Sequence, residues 1–176
     1  CAPVVYHWHH MSAKGKPVTM SQPMPEEGQI APDFTLPQDG GEPVTLSALR
    51  PAPVVLFFYP KDDTPGCTVE NRDFSALQVD FATAGAKVVG VSKDTVEKHS
   101  KFRKKHDLSV ILVSDAEGTT CEDYGVWVEK KMYGKTFMGI NRATFLIDGE
   151  GKVAKVWPKV KVEGHAEEVL AAVRAL

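Results

Sequence analysis

The chain of 176 residues is poor in cysteine. It holds three, Cys1, Cys67 and Cys121, and contains no Cys-x-x-Cys pair. Because they are few and widely separated, they exclude a disulfide framework. The absence of a close pair argues against a dithiol oxidoreductase and against a cysteine-rich zinc site. An odd number of scattered cysteines favours a cytoplasmic protein with one functional thiol.

Long apolar runs and an excess of charge of one sign are absent too. No apolar run approaches the roughly 20 residues that span a bilayer, and the net charge is -2, so neither a membrane nor a nucleic acid is expected as a partner. We find no phosphate-binding glycine loop and no Ser-His-Asp set. His99, His106 and His165 lie far apart in the sequence, so no metal or cofactor is expected.

Residues 1–27 are rich in Pro, Lys, Ser and Glu, and we expect a flexible arm, natural or engineered, outside the fold. Its first ten residues do not have the basic start and apolar middle of an intact secretory signal. His7, His9 and His10 could bind a metal, although an engineered or disordered segment explains them better. Residues 28–176 are expected to form one domain, long enough for a substantial core.

Hydrophobic patterning in that range predicts an α/β fold with a mixed central sheet flanked by helices on both faces. An N-terminal β-hairpin is expected around Asp39-Gly40-Gly41, and a second hairpin around residues 148–151. Strands are predicted at 53–59, 87–92, 110–113, 143–147 and 153–157, and helices at 66–83, 95–105, 117–124 and 165–176.

The most informative segment runs from Tyr59 to Thr68 and reads YPKDDTPGCT. It places Cys67 at the start of a helix, directly after a buried strand and a dense group of turn residues. A thiol in the first helical turn lies among free backbone N–H groups and at the positive end of the helix dipole. That environment favours thiolate, the reactive form. The segment therefore predicts redox chemistry on sulfur.

This segment resembles the active-site segment of peroxiredoxins, in particular the bacterioferritin-comigratory or Q-type subfamily. Further stretches of the chain agree with that resemblance, namely GQIAPDFTL, VVGVSKD, LVSDAEG, MYGK and RATFLIDGEGKV. It extends over roughly residues 28–176. It implies a thioredoxin-like fold and the thiol-dependent reduction of hydrogen peroxide and organic hydroperoxides.

The resemblance also implies roles for individual residues. Cys67 matches the peroxidatic cysteine, which attacks the peroxide and becomes a sulfenic acid. Thr64 matches a threonine that contacts thiolate and substrate, Pro60 a proline that shields the pocket from water, and Arg142 an arginine that holds thiolate and peroxide. Preorganised donors of this kind stabilise the charge that moves onto oxygen as the O–O bond breaks. Glu70, three residues after Cys67, is interpreted as a structural capping residue.

The chain departs from the family pattern at the second, resolving cysteine. The two common resolving positions are occupied by Arg72 and Arg103. Cys121 is either an inert buried thiol, which we favour, or a resolver that reaches Cys67 after local unfolding. The favoured cycle therefore uses one cysteine, and its sulfenate is reduced by an external thiol such as thioredoxin, glutaredoxin or glutathione.

Two alternatives stay open at this point. One is an atypical two-cysteine peroxidase with Cys121 as the resolver, and the other is a non-enzymatic redox sensor or interaction protein. The expected partners are a peroxide and a thiol reductant, and the expected assembly is a monomer or a weak homodimer.

Overall fold

The computed structural model describes residues 22–176. In that range the chain forms nine β-strands and five α-helices, and five of the strands form the central sheet. The strands are β1 Thr35–Leu36, β2 Val44–Thr45, β3 Val54–Phe58, β4 Lys87–Ser92, β5 Ile111–Ser114, β6 Trp127–Met132, β7 Lys135–Ile140, β8 Ala143–Ile147 and β9 Val153–Trp157. The helices are α1 Pro65–Ala76, α2 Gln78–Thr83, α3 Val96–His106, α4 Thr120–Asp123 and α5 His165–Arg174. None of the described helices is long and apolar enough to cross a bilayer.

The central sheet is mixed, as predicted, with the strand order β5-β4-β3-β8-β9. Strands β3, β4 and β5 are parallel, whereas β8 runs antiparallel to both β3 and β9. Every residue of β3 is buried, as expected for a central strand covered on both faces.

The sheet separates two apolar cores. Val55 and Phe57 of β3 belong to a core with apolar residues of α1, α2, α3 and α5. Leu56 and Phe58 point to the opposite core, which includes residues of the β1–β2 hairpin, α4 and the ends of the β6–β7 hairpin. Helices lie on both faces, as expected, although the four longer helices of the described chain share one face and only the short α4 packs on the other.

Three elements differ from the sequence prediction. The helix predicted at 66–83 breaks at Leu77 (φ -99°, ψ 9°) into α1 and α2, although leucine is a good helix former. The helix predicted at 117–124 contains only Thr120–Asp123, because the Asp115 carboxylate accepts the N–H groups of Thr120 and Cys121 and fixes its start there. The β6–β7 hairpin was not predicted, since its turn places a tyrosine, Tyr133, at positive φ, where sequence rules expect Gly, Asn or Asp.

The N-terminal boundary also differs. Residues 22–27 were assigned to the flexible arm, yet they lie against the domain: the Gln22 N–H donates to the Glu122 carbonyl at 2.9 Å, and Pro25 is buried. The remainder of the predicted arm, with Cys1, His7, His9 and His10, lies outside the described residues.

Candidate active site

Cys67 is the third residue of α1 and is fully buried. Thr64 is the N-cap in extended conformation, and Pro65 occupies the first helical position, where its fixed φ suits a helix start. The first intrahelical hydrogen bond joins the Thr68 N–H to the Thr64 carbonyl at 2.8 Å. The N–H groups of Gly66 and Cys67 therefore have no carbonyl within the helix to bond, and they can serve an oxygen atom placed beside the sulfur.

The sheet brings Arg142 to this helix start. Strand β8 is antiparallel to β3, with Ala143 opposite Phe58, so Arg142 lies where the chain leaves β3 for α1. Its Nη2 is 3.4 Å from Cys67 Sγ. A cation in contact with sulfur stabilises the thiolate by direct attraction. The predicted proximity of Arg142 and Cys67 is thus present, although its catalytic role stays a prediction.

The guanidinium also explains the glycine that precedes Cys67. A Cβ atom added at Gly66 would lie 3.2 Å from Arg142 Nη2, closer than ordinary van der Waals contact. Glycine at this position lets the charged group lie directly against the helix backbone.

Glu70 has a different place from the one predicted. Its Oε1 accepts a hydrogen bond from Arg142 Nη1 at 2.6 Å, and the N-cap of α1 has no side-chain hydrogen bond. Burial raises the pKa of Glu70 to about 7, against the opposing effect of Arg142. Its Oε2 has no hydrogen-bond partner among the described residues. The three-residue spacing from Cys67 puts both side chains on one helix face, which was the signal available in the sequence.

Thr64 and Pro60 lie on the turn that leads into α1. The Thr64 hydroxyl donates to the Lys61 carbonyl at 2.8 Å, so its proton is used within the turn. Pro60 is half-buried and lines a groove of about 350 Å³. The other walls of this groove include Trp127, Lys130, Phe137, Met138 and Ile140. The contacts expected of Thr64 and Pro60 with a substrate stay predictions.

Cys121 lies in α4, in the core on the opposite face of the sheet from Cys67. It is fully buried, and its N–H donates to Asp115 Oδ2 at 2.8 Å. Burial and the negative charge of Asp115 raise the pKa of the Cys121 thiol far above its ordinary value. This environment favours the protonated thiol, which is the less reactive form.

Arginines occupy the two positions where resolving cysteines were expected. Arg72 is exposed on α1. On α3, Arg103 forms a two-pronged ion pair with Asp39, with N–O distances of 2.6 and 3.0 Å, and also donates to the carbonyls of Leu108 and Val110. Arg103 thus has a structural role that ties α3 to the N-terminal hairpin. Among residues 22–176 no group of three or more His, Cys, Asp or Glu side chains could hold a metal ion.

Known proteins are similar to this chain over most of its length. Residues 28–156 match the family model described as the AhpC/TSA family. Peroxiredoxin Bcp of Bacillus subtilis is 50% identical over 145 residues, which cover 82% of this chain and 92% of that protein.

Two solved structures from Xanthomonas campestris are similar. Peroxiredoxin Q has a TM-score of 0.77 and 48% identity over 81% of this chain and 90% of that one. Bacterioferritin comigratory protein, a structure concerned with alkyl peroxide reduction, has a TM-score of 0.79 and 45% identity over 85% of this chain and 98% of that one. This chain therefore belongs to the AhpC/TSA family, has the thioredoxin-like fold, and is a peroxiredoxin, a thiol peroxidase.

Proposed function

We propose that Cys67 is the peroxidatic cysteine and that the enzyme works by a one-cysteine cycle. The observation that carries the proposal is the distance of 3.4 Å between Arg142 Nη2 and Cys67 Sγ at the start of α1. The thiolate attacks one oxygen of ROOH, an S–O bond forms, and the O–O bond breaks. Cys67 becomes a sulfenic acid, and RO⁻ leaves and takes up a proton to give ROH.

The charge that moves from sulfur to oxygen in this step needs donors that are already in place. Arg142 supplies a guanidinium at the sulfur, and the N–H groups of Gly66 and Cys67 supply backbone donors in the unpaired first turn. Glu70 holds the guanidinium from its other side at 2.6 Å. Because the planar guanidinium can contact sulfur and carboxylate at once, lysine would not replace it.

We propose hydrogen peroxide and organic hydroperoxides as substrates. The groove that Pro60 lines has aromatic and aliphatic side chains on its walls, including Trp127, Phe137 and Ile140. Such a groove can accept the alkyl part of a hydroperoxide by excluding water from it. The related Xanthomonas campestris protein was studied for alkyl peroxide reduction, which supports the same substrate class here.

In the second half of the cycle an external thiol reduces the sulfenic acid. The first thiol forms a mixed disulfide with Cys67 and releases water, and a second thiol then restores the Cys67 thiol and leaves as a disulfide. Thioredoxin, glutaredoxin and glutathione are the proposed reductants. The alternative, resolution by Cys121, is disfavoured because the two thiols lie in cores on opposite faces of the sheet.

The test is peroxide consumption by wild type, Cys67→Ser and Cys121→Ala, each with thioredoxin, glutaredoxin or glutathione and its recycling system. We expect Cys67→Ser to be inactive with every reductant, whereas Cys121→Ala keeps the wild-type rate. Activity of Cys67→Ser equal to wild type would refute the assignment of Cys67.

Mass spectrometry separates the two cycles. Wild type treated with excess peroxide and no reductant should gain about 32 Da, the two oxygens of a sulfinic acid, at the Cys67 peptide. A quantitative disulfide between Cys67 and Cys121 would instead establish the two-cysteine cycle.

The proposal includes a cytoplasmic location and a monomer or weak homodimer. The scattered cysteines support the location, since reduced thiols are usual there. Cell fractionation tests the location, and sedimentation over a range of concentrations tests the assembly.

A further inference from the structure

A buried polar network fixes residues 59–64, which we call the 59–64 turn. Asp62 is 8% exposed. Its Oδ1 accepts the Tyr59 hydroxyl at 2.6 Å, and its Oδ2 lies 2.6 Å from His99 Nδ1 on α3. The Asp62 N–H donates to Asp94 Oδ2 at 2.8 Å. Side chain and backbone of Asp62 are therefore both held.

The protons of His99 follow from its two partners. Nε2 lies 2.9 Å from the Val113 carbonyl oxygen, which can only accept, so Nε2 carries a proton. Nδ1 faces Asp62, and a proton on Nδ1 completes a charged pair. Burial alone would lower the pKa of His99, but the hydrogen bond and charge of Asp62, with a further contribution from Asp94, raise it overall. Because the Asp62 carboxylate and the Val113 carbonyl are both acceptors, we assign a donated proton to each nitrogen of His99.

The 59–64 turn connects the Asp62–His99 hydrogen bond to the start of α1, where Cys67 lies. Lys61, next to Asp62, provides the carbonyl that accepts the Thr64 hydroxyl at 2.8 Å. Thr64 is the N-cap of α1, three residues before Cys67. A change in the orientation of Asp62 therefore alters the backbone that presents Pro60 and Thr64 to a substrate at Cys67.

We propose that His99 is a positioning residue of the peroxidase: by donating to the Asp62 carboxylate it fixes the 59–64 turn against α3 and sets the geometry of the Cys67 pocket. The proposal rests on the proposed role of Cys67. It adds His99, a residue of α3 that acts through Asp62 without contacting the sulfur or the substrate.

The same turn and the same helix provide a matched control. His106 of α3 pairs with Asp63 at 2.8 Å, and the Asp63 side chain is 44% exposed. Lys105 shares Asp63 at 2.8 Å. Because solvent screens that pair and a second cation can replace it, His106→Gln should leave the peroxide rate unchanged.

Substitution of His99 by asparagine or by glutamine tests its two hydrogen bonds separately. Asparagine places its amide nitrogen near the position of Nδ1, so His99→Asn keeps the donor to Asp62. Glutamine reaches the position of Nε2, so His99→Gln keeps the donor to Val113 and leaves Asp62 with one side-chain donor fewer. We expect His99→Gln to lower the rate constant of Cys67 oxidation by hydrogen peroxide roughly 10- to 100-fold, as small displacements of catalytic groups do. His99→Asn should restore most of that loss.

The rate constants are measured by stopped flow, and unfolding by denaturant is measured in parallel on each variant. A role in stability alone predicts that both amides weaken folding and leave the rate of the folded enzyme intact, and this result would overturn the proposal. So would equal rate losses in the two variants. In an Asp62→Ala background the effect of His99→Gln should disappear, because His99 acts through Asp62.

If His99→Gln does not fold, Tyr59→Phe decides, since it removes the other side-chain donor to Asp62. A lowered rate supports the positioning of the turn through Asp62, and a wild-type rate overturns it. The Cys67→Ser variant distinguishes failure of the proposed function from failure of this inference alone. If the proposed function fails, that variant stays active; if only this inference fails, it is inactive while His99→Gln reacts like wild type.

Discussion

Cys67 and Cys121 are equally buried, and each lies near an ion pair whose carboxylate is buried and whose cation is partly exposed. The two sites differ in which member of the pair is nearer to the cysteine. At Cys67 the cation comes first: Arg142 contacts the sulfur, and Glu70 lies behind the guanidinium. At Cys121 the anion comes first: Asp115 accepts the Cys121 N–H, and Lys93 lies 3.1 Å behind the carboxylate.

If Cys67 is the reactive thiol, as proposed, burial by itself does not decide which thiol reacts. Removing a thiol from water disfavours its anion at either site. The neighbouring charge then either offsets that penalty or adds to it. Because Asp115 adds to it, the pKa of Cys121 is raised strongly, whereas the Arg142 guanidinium faces the sulfur of Cys67. On the proposed function, the charged side chain nearest to each cysteine distinguishes the reactive thiol from the thiol of the core.

The largest expected effect comes from removing the cation at Cys67. Arg142→Ala should slow the reaction of Cys67 with hydrogen peroxide roughly 10²- to 10³-fold, the range for loss of one preorganised donor. Arg142→Lys should recover only part of the rate, because an ammonium cannot contact sulfur and Glu70 with a planar fork. Stopped-flow oxidation under pseudo-first-order conditions gives the rate constants.

Arg174→Ala is the matched control, since this arginine lies on the exposed end of α5, 3.8 Å from Asp80. It should react like wild type. A wild-type rate in Arg142→Ala would remove the difference between the two cysteine sites as an explanation of reactivity.

The sequence predicted the Cys67 site better than the Cys121 site. Chain-local signals suffice for Cys67, because strand, turn and helix start are contiguous from Val54 to Cys67. Arg142 lies 75 residues away, and only the family resemblance indicated it, since spacing along the chain carries no information about β3–β8 pairing. The ion pair of Glu70 was missed because it depends on that pairing.

The same limit applied elsewhere in the fold. Strands β4, β8 and β9 lie where their apolar runs predicted them. The short helix α4 and the charges around Cys121 depend on Asp115, whose carboxylate could equally have faced solvent. Local patterns therefore located most strands of the central sheet, whereas tertiary contacts determined the extent of α4 and the charges around each sulfur.

The next effect concerns the anion behind Arg142. The pKa of Glu70 in the folded protein is about 7, above its ordinary 4.5. The folded state therefore keeps this proton where the unfolded state has lost it, and stability falls as the pH rises from about 4.5 to 7. Glu70→Gln cannot titrate. The free energy of unfolding of wild type minus that of Glu70→Gln should fall by about 3 kcal/mol across this window.

The difference in unfolding free energy between wild type and Glu70→Gln is measured because His165 changes the stability of both proteins with pH in the direction opposite to Glu70. Burial lowers the pKa of His165 to about 4, so its contribution to stability increases as the pH rises from about 4 to 6.5. Urea unfolding at several pH values measures both proteins. A difference that does not change with pH would mean that the pKa of Glu70 is the same in the folded and the unfolded protein.

The smallest effect is expected at Cys121, and it completes the comparison. Cys121→Ala removes a buried sulfur from a core and should lower the free energy of unfolding by about 1 kcal/mol, while the peroxide rate stays that of wild type. In wild type exposed to moderate peroxide, peptide mass spectrometry should find oxygen on Cys67 and an unmodified Cys121, because the raised pKa keeps Cys121 protonated at neutral pH. Oxidation of Cys121 at the rate of Cys67 in the folded enzyme would show that the Asp115 carboxylate does not protect Cys121. The order of the charges would then not explain why one thiol reacts and the other does not.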